Sequence, residues 1–266
     1  MPLQKGIIPL SELPLRNDFM FGEVMRTEDI CQLFLEELLG LDIRHIEFID
    51  KQKELSDSYT HHGIRLDVYL KDDVGTVFNV EMQSTNHGDL SKRARFYQSA
   101  IDRDELPKGA DYENLSESYI IFVCDFDYFQ IGKAVCERVS FLIGTNAEYK
   151  DGSHVFFLNS HYTESNASQS ILELLDMIRT NDLEKPYKTP LGQKAKARIQ
   201  AVRSDKALEV SYMTIAQKML DERKIGHAEA MEDAVLAMKD LTTPDDIAQR
   251  LKLSLEQVLK ILSHEN

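Results

Sequence analysis

The sequence contains no tryptophan and only three cysteines in 266 residues. Cys31, Cys124 and Cys136 lie within or beside apolar runs, their number is odd, and their spacing fits no zinc pattern. A disulfide framework is therefore not expected, and reduced, mostly buried thiols are. Basic residues are in deficit. Against 45 Asp and Glu stand 31 Lys and Arg, a formal net charge of −14. Taken alone, that argues against a generic nucleic-acid coat protein, although an acidic chain can still carry a local basic strip. No run approaches the ~20 apolar residues that span a bilayer, so no membrane partner is expected. Met1–Pro14 has no basic stretch followed by an apolar one, and a cytoplasmic location is expected. No internal repeat or low-complexity segment is visible. What is present, 42% hydrophobic and 29% charged residues, suits a folded chain with one good-sized core and a smaller accessory module.

Residues 1–16 read as a lead-in with Pro2, Pro9 and Pro14. Asn17 is placed to cap a helix starting at Asp18, and Thr27 to cap the next, with Glu28 and Asp29 in its first turn. That second helix repeats apolar residues at Ile30, Leu33, Phe34, Leu38 and Leu41, with Gly40 as its stop. Three strands follow, at Arg44–Lys51, Ile64–Leu70 and Thr76–Gln83. The last two alternate, with Arg65, Asp67 and Tyr69 on one face of the first and Val77, Asn79, Glu81 and Gln83 on one face of the second. Lys71–Gly75 reads as the turn of a hairpin. A polar helix over Asp89–Arg103 and a strongly apolar strand, Tyr119–Val123, complete the order αβββαβ. Val135–Leu142 and His154–Leu158 are further strands. From Ser168 onward the pattern is helical, with one helix expected over Leu191–Arg223 and another over Ala228–Lys239. Thr243-Pro244-Asp245-Asp246 begins a further helix, and Ser254-Leu255-Glu256-Gln257 fits a capping box.

The chemistry concentrates between Arg65 and Tyr97. A hairpin turn centred on Val74 sets Asp67 opposite Glu81, with Cβ atoms ~5 Å apart. Two carboxylates at that separation can share a divalent metal, and Gln83 faces the same way. A metal so held suits hydrolysis of a phosphodiester. The following helix offers Lys92, Arg93, Arg95, Tyr97 and Gln98, and a cation there would suit a phosphate. Against this stands the plainer reading that an exposed strand face is polar merely because it is wet.

Gly63-Ile64-Arg65-Leu66-Asp67-Val68, Asn79-Val80-Glu81-Met82-Gln83 and Lys92-Arg93-Ala94-Arg95-Phe96-Tyr97 together resemble the PD-(D/E)XK nuclease family transposases, also called Rpn or recombination-promoting nucleases. Asn17-Asp18-Phe19-Met20-Phe21 looks like that family's opening motif. Gly109–Phe126, with Tyr112, Leu115 and the Tyr119–Phe126 run, is similar to it too. The resemblance covers about residues 15–180. It implies an α/β, restriction-endonuclease-like core and Mg²⁺-dependent cleavage of DNA, with Mn²⁺ as a substitute metal. Asp67 and Glu81 would be the metal ligands. Gln83 stands where many relatives in the wider superfamily have a lysine, and it cannot carry lysine's charge. Arg95 and Tyr97 are the candidates to compensate.

The expected division is a nuclease-like domain at 1–180 and a helical region at 181–266, ending in a pair similar to a helix-turn-helix. Ile247, Ala248, Leu251, Leu253, Val258 and Ile261 would form that pair's small core. Its second helix shows Glu256, Gln257 and Lys260, so a structural or oligomerisation role is favoured over DNA reading. Asp18 is a further acidic candidate for the site, with Glu23 behind it. Neighbouring His61 and His62 point apart on an extended chain and read as a solvated loop. Lys92 and Arg93, with Lys194, Lys196 and Arg198 in a basic stretch, are the candidate DNA contacts. Because nucleases that cut both strands are often dimers, a homodimer is a further candidate. The function expected is an Mg²⁺-dependent DNA endonuclease of recombination, mobile elements or defence. The alternative is a weak or inactive nuclease-fold interaction protein.

Overall fold

A computed structural model of the protein describes residues 7–48, 54–55, 64–65, 67–145 and 147–263. His61 and His62 lie outside these residues, and so do Gly63 and Leu66 of the resemblance. The described chain falls into two compact units, one over Ile8–Asp205 and one that includes Lys206 onward.

The first unit opens with helices α1 (Asp18–Met25) and α2 (Glu28–Leu39). Asn17 caps α1, its side chain accepting from Phe19 N at 3.0 Å. Thr27 sits at the N-cap of α2 but its hydroxyl donates instead to Glu23 O at 3.3 Å. Gly40 ends α2 in the left-handed region, at φ 68°, a conformation glycine adopts without strain.

Strands β1 (Ile46–Phe48), β4 (Val68–Asp72), β5 (Val77–Gln83), β6 (Ser118–Cys124), β7 (Val135–Glu137) and β8 (Ser153–Asn159) form one sheet in the order β1-β4-β5-β6-β8-β7. β4 is antiparallel to β1 and β5, β5, β6 and β8 are mutually parallel, and β7 runs antiparallel to β8. A separate two-stranded ladder pairs β2 (Glu54–Leu55) with β3 (Ile64–Arg65). The strand expected over Ile64–Leu70 is thus broken, with Asp67 in a bend between β3 and β4. The break follows from β3 and β4 serving different sheets. The β4–β5 turn is held by Asp72, whose Oδ1 accepts from Val74 N at 3.0 Å and Thr76 N at 2.8 Å.

Helix α3 (Leu90–Glu105) connects parallel β5 and β6 and covers one sheet face. Its Leu90, Ala94, Tyr97 and Ile101 are buried against Tyr69, Val77, Ile120 and Phe122. Each such large apolar side chain contributes about 1.5–3 kcal/mol by leaving water. Glu81 and Gln83 share that covered face by alternation from Val77, so their carboxyl and amide are enclosed rather than solvated.

Helices α4 (Gln169–Thr180) and α5 (Pro190–Ser204) complete the unit. The expected boundary at 180 falls at the end of α4, and α5 packs against α1, α2 and α4 through a buried face of Leu191, Ala195, Ile199 and Val202. Buried Glu173 of α4 accepts from Lys188 N, Thr189 N and the Thr189 hydroxyl, tying α4 to the start of α5. The helix expected over 191–223 ends at Ser204, because Asp205 takes an extended conformation.

The second unit contains α6 (Lys206–Met238), α7 (Pro244–Leu251) and α8 (Leu255–Ser263). α6 runs unbroken through the interval expected between two helices. Val235, Ile247, Ala248 and Val258 form its core, joined by Leu251, Leu253 and Ile261. The capping box at Ser254 is reciprocal: Gln257 N donates to Ser254 Oγ at 3.2 Å, and Ser254 N to Gln257 Oε1 at 2.8 Å. No helix among the described residues is long and apolar enough to cross a membrane.

Candidate functional site

Strands β5, β6 and β8 end level with one another, at Gln83, Cys124 and Asn159. In open α/β sheets, ligands gather outside the carboxyl ends of parallel strands. Here β4 leaves the sheet, and the register Val68↔Val80 sets Asp67 level with Glu81. Beyond Val68 the backbone ladder is replaced by side chains. Asp67 N donates to Glu81 Oε1 at 3.2 Å, and Met82 N donates to Asp67 Oδ2 at 3.0 Å. Each carboxylate therefore takes a backbone amide at or beside the other's residue, which brings the two acids together.

Arg26, at the end of α1, fixes Asp67 from the other side by donating to its carbonyl oxygen. Its path crosses Gly22, where a Cβ would lie 2.6 Å from Arg26 Nη1. The small residue at 22 therefore leaves room for that guanidinium.

Glu81 is only 3% exposed. Its carboxyl is held well above the ordinary range, chiefly by burial and then by the charge on Asp67. The Asp67 amide, Asn79 and Arg93 oppose that rise. Asn79 lies on the same face, wholly buried, and neither end of its amide makes a hydrogen bond of normal geometry. Its proximity still biases Glu81 toward the ionised form.

Gln83 is held by Arg93 of α3, whose Nη1 donates to Gln83 Oε1 at 2.7 Å. A guanidinium can only donate, so the Gln83 atom facing it is the oxygen, and the amide NH₂ remains the free donor. Arg93 Nη2 donates to the Tyr97 hydroxyl at 2.7 Å, and the guanidinium lies over the Tyr97 and Phe122 rings at 5.4 and 6.0 Å. Partial burial works against the charge on Arg93, but the Tyr97 bond and nearby Glu81 leave it more firmly protonated than usual. Burial, then Glu81, pushes the Tyr97 hydroxyl up.

The structure thus gathers Asp67, Glu81, Gln83, Arg93 and Tyr97. Arg95 and Lys92 are exposed on α3. Asp18 is exposed in the first turn of α1. The other basic candidates are occupied. Lys194 pairs with Asp29, and Arg198 Nη2 with Glu23 Oε2 at 3.3 Å. Lys196 Nζ donates to Lys185 O at 3.3 Å. These contacts tie α5 to its neighbours. Sequence reading missed Arg26 and gave Asn79 no role. It placed Arg93 among DNA contacts, although the four-residue spacing from Arg93 to Tyr97 sets both on one flank of α3.

No group of three or more His, Cys, Asp or Glu able to hold a metal occurs among the described residues. Two carboxylates nonetheless suit a hard cation such as Mg²⁺, which commonly keeps several waters and takes one or two protein carboxylates. Without a cation, the pair is strained electrostatically, and this is testable. The Glu81 carboxyl is raised above its unfolded value. Its contribution to stability is therefore complete below the ordinary carboxyl range and is lost as pH climbs through the folded value. In EDTA at about pH 8, Glu81→Gln should exceed the native chain in stability by roughly 1–3 kcal/mol, the gap closing toward about pH 4. Urea denaturation at both pH values checks this; a native chain that is the more stable of the two at the higher pH would contradict it.

The model of the family described as PD-(D/E)XK nuclease family transposase matches residues 15–227. This extends beyond the roughly 15–180 read from motifs. No curated protein and no solved structure matches the chain.

Proposed function

Since this chain belongs to the PD-(D/E)XK nuclease family transposases, we propose that it is a DNA endonuclease in which Asp67 and Glu81 hold a divalent cation, Mg²⁺ or Mn²⁺. The observation that carries this reading is the mutual engagement of the two acids at the carboxyl edge of the parallel strands. The nuclease function is assigned to 1–180 and an accessory part to 181–266. Recombination, mobile elements or defence are the settings that the activity would serve.

When bound, the cation would polarise a phosphoryl oxygen and acidify a water. The protein's own groups do the rest. Asp67 and Glu81 supply the negative charge that retains the ion. Gln83 presents its amide NH₂ as a neutral donor, oriented by Arg93. Arg93 places a fixed positive charge directly behind Gln83, in the neighbourhood where a lysine side chain would otherwise bring one. Tyr97 fixes the other arm of that guanidinium.

The test is incubation of the whole chain with supercoiled plasmid. Nicked and linear products are expected with Mg²⁺ or Mn²⁺ and none in EDTA. Intact plasmid under every cation would discard the reading.

One observation favours a second reading, a nuclease-fold interaction protein without catalysis. One carboxylate oxygen each of Asp67 and Glu81, and the amide oxygen of Gln83, already accept internal hydrogen bonds, and no lysine is present at position 83. Calorimetry with Mn²⁺ separates the two. A site that Glu81→Ala abolishes supports catalysis, whereas no site supports the interaction protein.

A further inference from the structure

A second cluster lies at the same edge of the sheet. Asp125 directly follows β6, Ser160 and His161 directly follow β8, and Arg16 precedes α1 by two residues. The Asp125 side chain is only 12% exposed, yet three side chains converge on it. The Ser160 hydroxyl donates to Asp125 Oδ1 at 2.9 Å. His161 Nε2 lies 3.2 Å from the same oxygen, and Arg16 Nη1 3.5 Å from Oδ2. A carboxylate only accepts, so Nε2 carries the hydrogen and the second ring nitrogen of His161 is left over. The Arg16 and His161 side chains remain 44% and 52% exposed. A nearly buried acid thus orients two half-exposed donor groups.

The cluster is joined to the first site through one residue. Asp125 N donates to Gln83 O at 2.9 Å, while the Gln83 side chain is held by Arg93. Neighbouring strands are ~5 Å apart, so Asp125 and His161 stand about 5–10 Å from the end of β5. Charge makes this position informative. The chain carries a net −14, and Lys194 and Arg198 are committed to Asp29 and Glu23. Donors that are oriented yet still exposed, at the edge where ligands gather, are suited to hold an anion.

We infer that Arg16 and His161, positioned by Asp125, bind the phosphodiester backbone of a DNA strand beside the bond to be cut. The identity of the ligand rests on the nuclease reading; the site itself rests on the cluster. Arg16 presents further N–H donors of its guanidinium to a phosphate, and His161, in its doubly protonated form, the N–H of its second ring nitrogen. Asp125 is a positioning residue that touches no substrate.

The experiment is fluorescence anisotropy of a labelled DNA duplex with the whole chain in EDTA, across a salt series, run beside plasmid cleavage with Mg²⁺. Arg16→Ala and His161→Ala should each weaken binding about five- to tenfold, and Arg16→Ala should reduce the salt slope by about one. Arg16→Lys should retain most of the affinity, because its charge persists. Thermal melting should be little changed for both alanine variants, whose side chains are half exposed. Alanine variants with native affinity and native salt slope would overturn the inference, whether or not the chain cuts. A chain that binds through these residues but cuts nothing would sink the nuclease reading and leave this contact standing. A chain that neither binds nor cuts would sink both.

Discussion

Asp67→Asn is expected to lower Mg²⁺-dependent plasmid cleavage by about 10³-fold or more while leaving the fold in place. Asp67 stands at the bend between β3 and β4, and three backbone contacts fix it there. Its N–H donates to Glu81, its carbonyl accepts from Arg26, and its carboxylate accepts from Met82 N. Asparagine retains an oxygen for Met82 N, so no buried amide loses its partner, a loss that would cost about 1–3 kcal/mol. What disappears is one of two negative charges. Glu81 then loses the charge that raises its carboxyl, although burial continues to raise it. In EDTA the variant should accordingly unfold at a urea concentration no lower than native, yet bind Mn²⁺ far more weakly. Parallel measurement of the unfolding midpoint and cleavage rate separates loss of chemistry from loss of fold. Cleavage by Asp67→Asn within about threefold of native would remove Asp67 from the site.

The strands that carry this pair were legible because alternation is a backbone property. Val68↔Val80 is the register that a turn centred on Val74 requires, and it sets Asp67 level with Glu81. The caps at Asn17 and Ser254 were legible for a similar reason, since a side-chain oxygen at a helix start answers local amides. What stayed hidden depends on tertiary packing. Nothing local says that β3 leaves for a second ladder at Asp67, because both strands share one alternation. Nor does periodicity say that Arg93 folds inward while Arg95 stays in solvent. That choice is made by the Phe122 and Tyr97 rings and by the Gln83 oxygen, one of them contributed by β6, far along the chain. The ion pairs of the basic stretch at Lys194, Lys196 and Arg198 are hidden in the same way. Composition shows cations, but their partners Asp29 and Glu23 lie more than a hundred residues earlier. Asp125 and His161 escaped notice because neither belongs to a local pattern, and only the parallel register of β5, β6 and β8 brings their strand ends together.

Arg93→Ala should reduce kcat about 10²-fold, a loss comparable to removal of one oriented donor from a transition-state site. Arg93 holds Gln83 and Tyr97 at once, at 2.7 Å each. Alanine leaves the Gln83 amide free to rotate, leaves its oxygen and the Tyr97 hydroxyl without their donor, and removes a charge that favours ionised Glu81. The lost charged hydrogen bonds should also lower stability by about 2–3 kcal/mol, so kinetics must be measured well below the variant's melting temperature. Two companions distinguish positioning from bulk stability. Tyr97→Phe keeps the ring contact and one arm of the clamp, and should lose only about tenfold in kcat. Arg93→Lys keeps the charge but cannot bridge both partners as the planar fork does, and should fall between the two. Gln83→Lys, the exchange that restores the lysine of the wider superfamily, would set an ammonium against the Arg93 guanidinium and should impair cleavage rather than enhance it. Gln83 and Arg93 are in this sense one choice, with the charge moved from strand to helix and the amide left as the donor. A Gln83→Lys chain that cuts faster than native with Arg93 intact would show the two positions to be independent.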